Sequence, residues 1–347
     1  MPRGPESSID VRTLPRALAT PPPLRGRLRV EIEDFRVDET IPYEPSGEGE
    51  HLFVHFEKRD LTTPDAVRRI AQALGVNPKD AGWAGLKDRR AVTRQWASFH
   101  RADADAARAL SVDAVTILDA RPHGHKLRTG HVRANRFALV VRGAVDIEAT
   151  QRALTQLEAR GVPNYFGEQR FGRFGDNARR AHAWLVGGQR GPRARHERKL
   201  LVSSLQSAIF NELLADRVAA NTYGAAQAGD LLQKEDSGGL FVCTDAAIDG
   251  ARADAFEVSP TGPMFGPKMR WPEGDVRTRE EAALARWGLD ASGLDDLKTL
   301  GPGTRRPYRT RVKDARVEPH PEGATVHLTL DSGVYATVVM RELLAEP

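Results

Sequence analysis

The segment Ala84-Gly85-Leu86-Lys87-Asp88-Arg89-Arg90-Ala91-Val92-Thr93-Arg94-Gln95-Trp96 sets one carboxylate, Asp88, between Lys87 and the pair Arg89-Arg90. Gly85 marks a turn, and the residues after it predict a strand from Val92 to Phe99, so Asp88 is expected in the loop entering that strand. Positive neighbours favour the ionised form of an acid, so Asp88 is expected to act as an acceptor or nucleophile at neutral pH rather than as a proton donor. Spacing alone favours a loop aspartate in surface ion pairs over a catalytic one. The surrounding sequence has to decide between the two.

Upstream, apolar and charged residues alternate from Leu28 to Thr40, which predicts a strand with Leu28, Val30, Ile32 and Phe35 as its apolar positions; a second strand is expected at about Leu52 to Phe56. Thr63-Pro64-Asp65 offers a cap, an N1 proline and a first-turn acid for a helix whose apolar stripe is Val67, Ile70, Ala71 and Leu74 and which Gly75 ends. Residues 1–23, with Pro2, Pro5, Pro15 and Pro21-Pro22-Pro23, read as an extended, mobile arm.

Downstream, a short helix near Asp103 to Leu110 precedes strands over Val115 to Arg121 and Arg136 to Arg142. An amphipathic helix over Ile147 to Arg160 follows, closed by Gly161. Between the two strands lie His123, His125 and His131 with Lys126, Arg128 and Arg133. No Cys or acidic residue accompanies the histidines at a recurring metal-ligand spacing, so this segment reads as a basic surface facing phosphate.

After Gly161 strand signals thin out. Helices are expected near Asp176 to Leu185 and Glu197 to Ala220, then Gly- and Pro-rich loops up to Pro307; from Tyr308 the β alternation returns, with Val326, Leu328 and Leu330 on one face, and a helix near Ala336 to Leu344 ends the chain. Strands on both sides of a helical block imply an α+β fold. Residues 24–160 and 308–347 are expected to form one discontinuous domain with a mixed or antiparallel sheet, and residues 161–307 a mainly helical insertion.

The 347 residues suffice for two domains, and their net charge of +4 is modest. Arginine clusters at Arg89 to Arg94, Arg121 to Arg136, Arg170 to Arg180, Arg190 to Lys199 and Arg305 to Lys313 nonetheless suggest a polyanionic partner, bound in a salt-dependent way. The single cysteine, Cys243, leaves no intrachain disulfide and no Cys-rich zinc site. With no apolar stretch long enough to span a bilayer and no secretory signal, a cytoplasmic location is expected.

The opening segment resembles the signature of the TruD family of tRNA pseudouridine synthases. The resemblance recurs in the family's order at Glu33-Asp34-Phe35-Arg36-Val37-Asp38-Glu39, Gly47-Glu48-Gly49-Glu50-His51, Asn135-Arg136-Phe137, Pro163 to Gly172, and Ser332-Gly333-Val334-Tyr335-Ala336-Thr337. It implies a split catalytic domain carrying the family's inserted TRUD domain, and isomerisation of uridine to pseudouridine at position 13 of tRNA. It implies Asp88 as nucleophile, and Phe35, Asn135, Tyr335 and Phe137 as substrate-binding residues. A cation, Lys87 or Arg29, should orient the acid. Because the product is an isomer, no cofactor and no metal are expected; the expected partner is tRNA, with no obligatory protein partner.

Residue types alone leave alternatives. Phe35 and Phe137 fit core positions of strands, and Asn135 a turn before its strand. Asp88 can attack C1′ of the ribose, add to C6 of the base or remove a ribose proton. Pro163 to Gly172 fits a structural junction better than catalysis. The whole pattern also suits an RNA-binding protein without chemistry, or an RNA hydrolase pairing Asp34 or Glu39 with Asp88.

Overall fold

The computed structural model describes residues 10–345. In chain order the strands and helices are β1 (Leu24–Leu28), β2 (Phe35–Thr40), β3 (His51–Arg59), α1 (Thr63–Ala73), β4 (Gly82–Trp83), β5 (Val92–His100), α2 (Ala104–Arg108), β6 (Val115–His123), β7 (Ala134–Val145) and α3 (Ile147–Arg160). Then come β8 (Val162–Pro163), α4 (Asn177–Leu185), α5 (Arg195–Ala219), β9 (Leu231–Lys234), β10 (Leu240–Val242), α6 (Ala246–Asp254), β11 (Val258–Met264) and α7 (Gly274–Arg286). The chain finishes with β12 (Thr304–Pro307), β13 (Arg309–Thr310), β14 (Val312–His320), β15 (Gly323–Asp331) and α8 (Ala336–Leu343).

These elements form two compact units. The first holds Pro21–Glu158, Val312–Ala336 and residues 343–345; the second holds residues 10–20, Ala159–Arg311 and Thr337–Glu342. In the first unit nine strands form one sheet in the order β14-β15-β7-β2-β5-β3-β6, with β1 also on β7 and β4 on β5. The β2–β5 pair is parallel and the others antiparallel, so the sheet is mixed and the fold α+β. α1 and α2 cover Leu52, Val54, Phe56, Ala97 and Phe99 on one face of it.

The single strand expected over Leu28 to Thr40 is broken. Arg29 takes φ +59° and a 3₁₀ turn occupies Ile32–Asp34 before β2 begins. Asp34 directs the break: its carboxylate accepts from the Glu31 N–H at 2.8 Å and from Arg142 Nε and Nη2, both at 2.9 Å. Buried and fully engaged, Asp34 is a turn-former rather than a partner for Asp88. The cap of α1 also shifts by one residue. Thr62 Oγ1 accepts from Asp65 N at 3.2 Å, which leaves the Thr63 hydroxyl free to accept from Lys87 N at 3.0 Å.

The second unit is built on α5, whose Leu205, Ile209, Phe210 and Leu214 are buried with Phe265, Trp287 and Tyr308. It also contains the sheet β10-β9-β11-β12, where loops were expected. β11 reads Val-Ser-Pro-Thr-Gly-Pro-Met, every residue buried, so it has neither alternation nor β-rich composition to announce it. Gly262 in this strand is pressed against Tyr308, and a Cβ there falls 2.4 Å from the ring. Within residues 1–23, residues 1–9 lie outside the described part; beyond them Val11 and Leu18 are buried, so this stretch of the expected arm is packed. Among the described residues no helix is long and apolar enough to cross a membrane.

Candidate active site

β2 lies between β7 and β5 in the first unit. Phe35, Val37 and Glu39 alternate with the exposed Arg36 and Asp38, and they pair in register with Leu139, Phe137 and Asn135 of β7. Side chains in directly opposed positions share a face, so Phe35, Glu39, Asn135 and Phe137 lie on one side of the sheet. The rings of Phe35 and Phe137 meet edge to face, centroids 6.1 Å apart. Arg36, Arg94, Arg136 and His327 line a cavity of about 490 Å³. By the same alternation it opens on the opposite side.

Asp88 occupies the loop before β5, where the sequence placed it, with its side chain half exposed. Arg29 Nη2 lies 2.6 Å from Asp88 Oδ2. The same guanidinium stacks on Phe35, its Cζ 3.9 Å from the ring centroid. Thus one arginine joins the acid to the aromatic pair, and its left-handed backbone, unusual for a residue other than glycine or asparagine, is the local cost of reaching both. Arg89 approaches Asp60 at 3.5 Å and Arg90 donates to Val30 O at 2.7 Å, so neither neighbour in sequence partners Asp88.

Lys87 has a different partner from the one expected. Its Nζ donates to Glu39 Oε2, and both side chains are buried. Burial pushes the Glu39 carboxyl up, against the opposing pull of Lys87. Two supporting residues have roles that the sequence reading does not assign. Lys58, fully buried and outside every quoted motif, donates from Nζ to Asp88 O at 2.7 Å, and Glu39, read there as a motif residue and a possible second acid, is the counter-ion of Lys87. Reading β3 as far as Lys58 and asking what neutralises a charge among apolar neighbours is the signal that finds the first.

Asn135 lies inside β7 rather than in a turn before it, and its Oδ1 is buried without a hydrogen-bond partner among the described residues. Tyr335 sits between β15 and α8 and is 47% exposed; among the described residues nothing bonds or stacks on it. The structure therefore links Asp88, Arg29, Phe35 and Phe137 by direct contact and sets Asn135 on the same face by register.

The other motifs have structural work. Asn164 donates from Nδ2 to Pro307 O at 3.0 Å, and Asn211 holds Phe166 through both main-chain groups, so Pro163 to Gly172 seats against α5 within the second unit. In the Arg305 to Lys313 cluster, Arg305 is buried on Glu280 at 2.7 Å and Arg309 is buried with main-chain acceptors, which removes both from any polyanion surface. The three histidines pack around Tyr43: His131 Nδ1 lies 2.7 Å from its hydroxyl, and His123 stacks on it. Among the described residues no three His, Cys, Asp or Glu side chains converge to hold a metal.

The family model for tRNA pseudouridine synthase D (TruD) matches residues 16–189 and 194–343. A protein from Anaeromyxobacter sp. (strain Fw109-5) named tRNA pseudouridine synthase D is 48% identical over 324 residues, covering 92% of each chain. Its namesake from Thermus thermophilus is 40% identical over 328 residues, covering 93% of this chain and 90% of its own. The crystal structure of a putative tRNA pseudouridine synthase D from Methanosarcina mazei shares the fold, with TM-score 0.81 and 22% identity over 97% of this chain and 96% of that one. The chain therefore belongs to the TruD family of tRNA pseudouridine synthases.

Proposed function

We propose that this protein is a tRNA pseudouridine synthase that isomerises the uridine at position 13 of tRNA, with Asp88 as its nucleophilic carboxylate and no cofactor. The first unit is the catalytic domain, and Ala159–Arg311 the inserted TRUD domain. In the reaction the C1′–N1 bond breaks, the uracil turns, a C1′–C5 bond forms, and one proton leaves C5 while another is taken up at N1. Atoms and electrons balance without an external reagent.

The observation that carries this reading is the chain of contacts from Asp88 through Arg29 to Phe35 and Phe137. A guanidinium bonded to the carboxylate holds it oriented for attack. Aromatic side chains suit a base held outside its stack, and an amide can read the uracil edge. Asn135 Oδ1, buried and unbonded, is an acceptor suited to a uracil N–H. Asp34 and Glu39 are committed to Arg142 and Lys87, which argues against a hydrolase that pairs either with Asp88.

The test is incubation with unmodified tRNA in the presence of a chelator, followed by chemical mapping of pseudouridine. Intact RNA with one new modified site is expected, and Asp88→Asn is expected to abolish turnover while RNA binding persists. Cleaved RNA would support the hydrolase, and binding without modification by the wild type would support a binding protein.

A further inference from the structure

Lys58 is a buried charge in the first unit that this reaction does not use. It lies near the end of β3, opposite Thr93 of β5 and Val115 of β6, with no surface accessible to solvent. Among the described residues its ammonium makes one hydrogen bond, 2.7 Å long, to the main-chain oxygen of Asp88, and no carboxylate stands within ion-pair distance. Burying an ammonium without a counter-ion is costly, and a methionine would fill similar space at less cost. What the amine adds is a directional bond to one carbonyl, that of the proposed nucleophile.

The rest of the loop is held by other means. Ala84 O accepts from Gly130 N at 2.9 Å and Lys87 N donates to Thr63 Oγ1 at 3.0 Å. Arg29 restrains only the side chain of Asp88. We propose that Lys58 is a positioning residue: its ammonium clamps the main chain of Asp88 while Arg29 holds the carboxylate, so the acid is presented in one orientation. This rests on the role given to Asp88 above.

The charged amine is the stronger donor: deprotonation leaves N–H groups that bond the carbonyl more weakly. Burial, with the charge of Lys87, outweighs the attraction of Asp88 and Asp60 and brings Lys58 down to about 8 from its ordinary 10.5. The clamp is at full strength at neutral pH and weakens as pH rises through about 8. Between the folded and unfolded values the unfolded chain binds more protons, so the same deprotonation raises stability with pH. Activity and stability then move in opposite directions, which a lysine needed only for folding does not produce.

The experiment measures kcat and KM on unmodified tRNA, with urea unfolding in parallel, between about pH 6.5 and 9.5 for wild type, Lys58→Met and Lys58→Arg. Lys58→Met is expected to lower kcat by about 100-fold with KM within about twofold, and to lose the alkaline limb near pH 8. Its unfolding midpoint should not fall. Lys58→Arg should recover part of kcat, with its limb moved to higher pH. Ionisation of the base is common to all three proteins, so only differences among them count. Wild-type kcat in Lys58→Met, or a loss that merely follows the unfolded fraction, overturns the inference. A wild type that forms no pseudouridine overturns the role of Asp88 instead, so the two failures are distinguishable.

Discussion

Lys87 turns its ammonium away from Asp88, its neighbour in the chain, and bonds the buried carboxylate of Glu39. The residue beside the acid in sequence thus fixes the base of the loop, and Arg29, fifty-nine positions away, holds the acid itself.

Removing one member of the Lys87–Glu39 pair strands the other charge away from water. Lys87→Met is expected to cost about 3–5 kcal/mol of stability, and the double variant Lys87→Met/Glu39→Gln to recover much of that. Urea unfolding of the wild type, Lys87→Met, Glu39→Gln and the double variant gives the coupling, and strictly additive losses would refute it.

Arg29→Met removes both the carboxylate's partner and the cation stacked on Phe35. The pair is partly exposed, so little stability rides on it. A fall in kcat of about 10- to 100-fold with the unfolding midpoint nearly unchanged is expected, read by single-turnover kinetics. Full activity in this variant would remove Arg29 from the site.

Asn135→Ala deletes a buried acceptor that has no partner among the described residues. Stability should hold or rise, because no internal hydrogen bond is lost. kcat/KM for tRNA should drop by about 10- to 100-fold as one contact to the base edge disappears. Equal losses of stability and activity would instead mark Asn135 as structural.

The Asp34–Arg142 pair gives a pH signature. Burial pushes the Asp34 carboxyl up, but bonds from Arg142 and the Glu31 N–H outweigh it and hold the group below its ordinary 3.8. The sign is that of a depressed acid: the stabilisation is present above the unfolded value and is lost as pH falls through the folded one. Arg142→Met should cost about 2–3 kcal/mol at neutral pH and move the onset of acid unfolding to higher pH, followed by circular dichroism. An unchanged acid limb would show that another group governs it.

Much of the sheet unit was legible because its strands alternate and its helices end at glycines, as α1 and α3 do, with a threonine cap and an N1 proline marking the start of α1. Asp88 was legible as a loop acid because a glycine turn and a β run bracket it. Lys58 was not, since a lysine in a strand reads as exposed until the fold buries it and supplies the Asp88 carbonyl. The partner of Lys87 was hidden for the same reason: Glu39 reaches it only through the alignment of β2 beside the loop. In the second unit the proline- and glycine-bearing β11 imitates a loop, because burial on all sides removes the alternation by which a strand is recognised.

β15 completes the sheet by pairing Leu328 with Phe137 and Leu330 with Asn135, yet residues Ala159–Arg311 lie between the two strands in the chain. At ~5–20 residues per second, the ribosome needs roughly 8–30 s to make that intervening segment. During this interval β7 has emerged with one side open, and its hydrogen-bonding groups await a strand that does not yet exist. A nascent chain of this kind has reason to fold the later unit before the earlier one is finished, and the open side of β7 is where a chaperone or a wrong partner would first engage it.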